Sequence, residues 1–220
     1  TTEIYTLSLH DALPIYEIKR LQKLSVAVAG FSSTTLVSRV YIDYRSILKL
    51  MIPELERCEC RNLGIISPLL SRDFLTQSGP CSFGKANLTK LDKLGIKLNQ
   101  QLLTERSVYE LYPDRLAQQG YQMFHQLMAQ MERPDALLIY PDQILPGVLA
   151  AAYELKIDLE RKFRLIVAHR NRELPELFPV KTVWLEISLD ELIETSFRLL
   201  VNVFHREGEQ DIQIKHHLVK

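Results

Sequence analysis

An α/β fold built on parallel sheets follows from three features of the sequence. Short apolar runs alternate with amphipathic stretches of helical period along most of the chain. One run, Ala136 to Tyr140, is apolar throughout, as a strand buried on both faces must be. An acid, Asp142, and then a helical pattern (Ile144, Leu145, Val148, Leu149, Ala152) follow it at once. In a parallel sheet such a strand–acid–helix unit puts the acid at the carboxyl edge, where ligands bind. Pro146 falls in the helix's first turn, where a missing N–H costs little.

The remaining elements read in order. Glu17–Leu24 has Ile18, Leu21 and Leu24 on one helical face, and Val26–Gly30 is a short buried strand. Val40–Asp43 is a further strand, and Arg45–Glu56 is a helix burying Ile47, Leu48, Met51, Ile52 and Leu55. Pro53 inside that helix is expected to kink or shorten it. Leu63–Ser67 is a strand, Pro68–Gly84 is turn-rich, and a domain crossover is expected near Ser67-Pro68. Asn87–Leu94 is a helix capped by Gly95, and Leu98–Thr104 is strand-like. Pro113–Met131 is a helix, Phe163–Ala168 a strand and Thr182–Ile187 an extended return. Leu189–His205 is an amphipathic helix with Leu192, Ile193, Phe197, Leu200, Val203 and Phe204. Ile212–Leu218 alternates like a single edge strand.

With 220 residues, 46% of them apolar, the chain can bury a sizeable core in one or two domains. Zero formal net charge gives no electrostatic case for contact with nucleic acid or a membrane surface by this piece. Its apolar runs fall short of the about 20 residues a membrane helix needs. Three cysteines, with Cys58 and Cys60 too close for an ordinary disulfide framework, read as reduced thiols of a cytosolic protein. Gly79 to Lys85 fits GxxxxGK, but Ala86 stands where a phosphate loop needs a hydroxyl. Ser82 lacks the paired flanking glycines of a GxSxG elbow. The neighbours His216 and His217 point to opposite faces of a strand, which does not suit joint metal binding. These features predict neither an enzyme nor a metal or cofactor site.

Several segments resemble, in order and spacing, the sensor domain of lactose/galactose-repressor-type transcription regulators, a domain also fused to winged-helix heads in some gluconate-type regulators. Arg133–Ile157 (RPDALLIYPDQILPGVLAAAYELKI) is similar to that family's "RPDA…ND…GAL.A" stretch. Val40-Tyr41-Ile42-Asp43 resembles its "V..D" segment and Cys60–Ile66 its "GHRRIAFI" strand. Leu94-Gly95-Ile96, Gly120-Tyr121 and Ala168-His169-Arg170-Asn171 (its "GFDN") match further landmarks, so the likeness runs from about Leu21 to Lys220. Thr1–Ile15 instead resembles the translated read-through of a sequencing adapter and is set aside as foreign.

The resemblance implies two Rossmann-like lobes with parallel sheets, of the periplasmic-binding-protein-like type I. The N-terminal lobe, incomplete, would take residues 16–67 and 188–206; the C-terminal lobe would take 68–187 and 207–220. An incomplete sheet exposes an edge and apolar surface. A small-molecule effector, a sugar or sugar derivative, would bind in a cleft between the lobes. It would act on a missing N-terminal DNA-binding head in a cytoplasmic homodimer, with no membrane contact. A solute-binding protein of a transport or chemotaxis system with the same fold is the alternative.

The implied ligand residues are Asp142, Asn171, Arg170, Tyr140 and Phe83. Asp142 matches the acid of "ND", while Pro141 replaces its Asn; the plain reading of Asp142 is a helix N-cap. Asn171 matches the Asn of "GFDN", but Arg170 replaces the Asp. An arginine can only donate hydrogen bonds, so it favours an anionic or phosphorylated ligand, or a pair with Asp142. Phe83 stands where the family's "R..GF" has its arginine. It could stack on a sugar, or simply pack in the core.

Overall fold

The computed structural model describes residues 29–31, 38–70, 75, 82–99, 113–171, 180–204 and 211–219. The predicted helix at Glu17–Leu24 and the first residues of the strand at Val26–Gly30 lie outside them. The chain divides into two compact units, one holding residues 1–43 and 188–215, the other 44–187 and 216–220.

The first unit contains a parallel sheet ordered β1-β2-β8, with β1 at Ala29–Phe31, β2 at Ser38–Ile42 and β8 at Asp211–Ile214. The Asp43 amide donates to the Ile214 carbonyl at 2.8 Å, extending the β2–β8 ladder by one residue. The helix Leu189–Phe204 packs on β1 and β2 and buries Leu192, Thr195 and Leu199. Ile193, Phe197 and Val201, four residues apart, are exposed instead of buried. Apolar residues run around more of this helix than the sheet can cover.

The second unit holds a six-stranded sheet ordered β4-β3-β5-β6-β7-β9. Its strands are β3 (Asn62–Ile66), β4 (Lys97–Asn99), β5 (Ala136–Ile139), β6 (Leu165–Asn171), β7 (Val183–Ile187) and β9 (His217–Val219). All neighbours are parallel except β7 and β9. Central β5 is wholly buried, and its alternation feeds two cores. Ala136, Leu138 and Tyr140 join one with the helix α1 (Arg45–Arg57), whose Ile47, Leu48, Met51, Ile52 and Leu55 are buried as predicted. Leu137 and Ile139 join the other, with Phe124 and Leu127 of α3 (Pro113–Met128) and Val148 and Ala151 of α4 (Leu145–Glu154). Truncating Leu137 or Leu138, both with no exposed surface, to alanine would cost about 2–5 kcal/mol.

Local chemistry explains several boundaries. The Asp135 carboxylate accepts from the backbone N–H groups of Arg61 and Asn62 at 2.9–3.0 Å, tying the start of β3 to that of β5. That aspartate of the RPDA stretch therefore works at the amino edge of the sheet. The helix α2 (Lys85–Lys93) ends with Gly95 at φ 67°, which lets the Ile96 amide return to the Leu91 carbonyl at 3.0 Å. α1 runs through Pro53 without ending, since both Pro53 and Lys49, whose carbonyl loses its partner there, are exposed.

Three expectations need correction. The chain passes between units at Asp43-Tyr44, not near Ser67-Pro68, because β3 pairs with β4 and β5. Its segment 44–67 thus belongs with the second unit. The single edge strand at Ile212–Leu218 is two strands in two sheets, β8 parallel to β2 and β9 antiparallel to β7, with the crossing at Lys215-His216. The strand expected at Leu98–Thr104 is β4 at Lys97–Asn99, and residues beyond 99 there fall outside the described ones.

Helices α3 and α4 meet at Gly120 and Gly147. A Cβ on Gly147 would stand 1.7 Å from the Ala117 carbonyl oxygen, so the helices could not keep this approach. Gly147→Ala is expected to destabilise the second unit by about 3 kcal/mol or more, with overpacking the cause. Urea unfolding followed by circular dichroism checks it against Ala150→Ser at the exposed neighbouring position.

Candidate functional site

Parallel β5 and β6 end side by side, and their carboxyl edge gathers the polar groups. After Ile139 the chain passes Tyr140, a cis peptide to Pro141, and a single 3-10 turn at Asp142–Ile144 before α4 begins. Asp142 therefore does not cap α4. The cap position belongs to Ile144, and the second helical residue is Pro146, which has no N–H to offer a capping oxygen. The Asp142 side chain, 15% exposed, instead lies beside His169 of β6, with Oδ1 3.7 Å from Nδ1. His169 Nδ1 is buried and has no hydrogen-bond partner among the described residues.

Around this pair, rings from distant parts of the chain collect on one face of the sheet. The Tyr140 ring lies 4.5 Å from His169, 5.8 Å from Tyr44 and 6.0 Å from His216. The Ser46 hydroxyl is 2.7 Å from His216 Nδ1 and also accepts the His216 backbone N–H at 3.2 Å. His216 and Ser46 are both buried, and they join the segments that enter the second unit at Tyr44 and at His216. Burial, then the neighbouring Tyr44 phenol and Asp142, push the Tyr140 hydroxyl well above its ordinary value.

Strand alternation separates the residues that the sequence groups together. Leu165 and Val167 face the first core, Ile166 and Ala168 the second. His169 continues the first series and Arg170 the second. Arg170 does not pair with Asp142. It sits in register opposite Glu186 of β7, donating from Nε and Nη2 to Glu186 Oε1 at 2.8 and 2.5 Å. Its guanidinium lies 4.9 Å from the centre of the Trp184 ring. Asn171 ends β6 in register with Ile187. Phe83 has no exposed surface and packs in the first core, where it has no face to offer a ligand. Tyr140 is also buried, at 3% exposure.

The ligand residues implied by the sequence did not include His169, Tyr44, Ser46 or His216. Strand alternation carried a signal for His169. The other three reach the edge through pairings distant along the chain, Ser46 and His216 being 170 residues apart. Among the described residues, no three His, Cys, Asp or Glu side chains converge to hold a metal ion, and no helix is long and apolar enough to cross a membrane. Cys58 and Cys60 are free thiols; burial, then nearby Asp135, pushes Cys60 up to about 12.

No protein-family model and no curated protein matches the chain. Solved structures do. A LacI family transcription regulator from Clostridium acetobutylicum superposes with a TM-score of 0.68 at 18% identity, over 94% of this chain and 74% of that one. A sugar-binding LacI family regulator from Enterococcus faecalis gives 0.72 at 14%, over 94% and 73%. One from Enterococcus faecium, with bound ribose, gives 0.67 at 15%, over 92% and 72%. The chain has their periplasmic-binding-protein-like fold. The α/β architecture with parallel sheets agrees with the expectation from sequence, and the similar proteins are transcription regulators.

The state of Tyr140 is testable. In the unfolded chain a tyrosine ionises near pH 10, and folded Tyr140 does so only at higher pH. Above about pH 10 the unfolded state therefore holds fewer protons, and stability falls by up to ~1.4 kcal/mol per pH unit from this group. Tyr140→Phe is expected to be less stable than the parent near neutral pH, where it lacks the Tyr44 hydrogen bond, and to lose less stability between about pH 9 and pH 11. Urea midpoints for both proteins across that range check it; equal losses would contradict the assignment.

Proposed function

We propose that this chain is the effector-sensing domain of a bacterial transcription regulator, and that it reads a sugar-like small molecule at the carboxyl edge of the six-stranded sheet. The observation that carries the reading is the pair Asp142, in the turn after β5, and His169 of the adjacent parallel strand β6, where a carboxylate stands beside a buried imidazole nitrogen that has no hydrogen-bond partner among the described residues. A carboxylate accepts from sugar hydroxyls, and a neutral imidazole can donate or accept beside it. Ligands of open parallel sheets bind outside the carboxyl ends of strands. Asn171 lies at the same edge, and Tyr140 supports the imidazole from beneath. Arg170 belongs to this edge through its ion pair, and Phe83 acts only as core beneath it.

The effector would bind two arrangements of the protein unequally and shift their populations, with a coupling of about 1–3 kcal/mol. DNA contact would fall to a separate N-terminal head, and paired operator half-sites call for a homodimer. The setting would be cytoplasmic. The sugar-bound and sugar-binding regulators among the similar structures favour this over the transport alternative.

A sugar at 100 times its dissociation constant is expected to stabilise the chain by ~2.7 kcal/mol, read as a rise in thermal midpoint over a panel that includes ribose and lactose. Asp142→Asn should weaken that response about tenfold, equivalent to one lost charge-assisted hydrogen bond of ~1.5 kcal/mol. A panel with no response, or an Asp142→Asn protein responding like the parent, would contradict the reading.

A further inference from the structure

Arg170 at a ligand edge would ordinarily favour phosphate, because guanidinium groups bind phosphate through two parallel hydrogen bonds. In this chain the guanidinium is already engaged. Two of its nitrogens meet one carboxylate oxygen of Glu186, at 2.8 and 2.5 Å, and the Trp184 ring lies against it at 4.9 Å. The Arg170 and Glu186 side chains are only 20% and 10% exposed, so water and salt screen the pair weakly. An anion drawing Arg170 away would leave the Glu186 carboxylate buried without its partner, and that makes the exchange costly. The nearby acid at the edge, Asp142, repels an anion as well, whereas it accepts hydrogen bonds from a hydroxyl.

Resting on the effector reading above, we propose that Glu186 is the specificity-determining residue of this edge: by holding Arg170 in a closed ion pair it excludes phosphorylated and other anionic ligands and selects an uncharged polyhydroxyl one. Glu186 owes this position to β7, where it stands in register with Arg170 and on the same face as Trp184. Nothing in the local sequence around Arg170 announces it, since the two are 16 residues apart on separate strands. The role is one of positioning, because Glu186 acts on ligand choice through Arg170.

Trp184 is the chain's single tryptophan, so its emission reports directly on the guanidinium beside it. The full chain, Glu186→Gln, Arg170→Gln and the double variant would be titrated with inorganic phosphate, ribose 5-phosphate and a panel of uncharged sugars. Emission and thermal midpoint would both be read. The parent is expected to show no saturable response to phosphate. Glu186→Gln should gain one, tightening phosphate binding about tenfold or more with a change in Trp184 emission, and the double variant should lose it again. A parent that binds phosphate and loses it in Arg170→Gln would overturn the proposal even if Glu186→Gln failed to fold. So would a folded Glu186→Gln that gains nothing. A parent that binds ribose 5-phosphate more tightly than any uncharged sugar would overturn this inference while supporting the effector reading. A phosphate gain in Glu186→Gln with no sugar response in the parent would do the reverse.

Discussion

The second unit depends on one constraint, the burial of β5 on both faces. Ala136 and Leu138 reach one core and Leu137 and Ile139 the other, so helices must cover the sheet on each side. That requirement makes β3, β5 and β6 parallel neighbours, since their connections have to run over the faces. It also brings the carboxyl ends of β5 and β6 side by side. Asp135 secures the other end, where its carboxylate collects the first amides of β3. With both cores closed, the groups that pass beyond Ile139 and Ala168 are left at the sheet edge.

Which of those groups share a face of the sheet is decided by the two-residue period of the strands. His169 and Arg170 are adjacent in sequence and part company in space. One joins Asp142 and the ring cluster of Tyr44, Tyr140 and His216. The other crosses to Glu186 and Trp184. The edge thus separates a hydrogen-bonding face from an internally neutralised ion pair. The Arg170 guanidinium is thereby engaged on the face opposite His169.

The similar regulators share the fold at 14–18% identity, which is what packing constraints allow. Core positions need apolar volume and period; they do not need particular residues. The chain departs from the motifs it resembles at three positions where those motifs carry polar or charged residues. Pro141 stands for an asparagine, Arg170 for an aspartate and Phe83 for an arginine. Phe83 shows how such a departure is absorbed, for it has become part of the core beside α1.

The sequence by itself determined the α/β class, the buried run at Ala136–Tyr140, the packed face of α1, the Gly95 cap and the placement of Asp142 after a central strand. Each of these is written in local period or in a residue's own backbone preference. Tertiary structure alone decided that Ser46 and His216 meet, that the last segment divides between two sheets, that Asp142 turns to His169 rather than capping a helix, and that Arg170 finds Glu186. Those outcomes depend on which strands become neighbours and in what register, and a hydrogen bond spanning 170 residues leaves no trace in either segment alone.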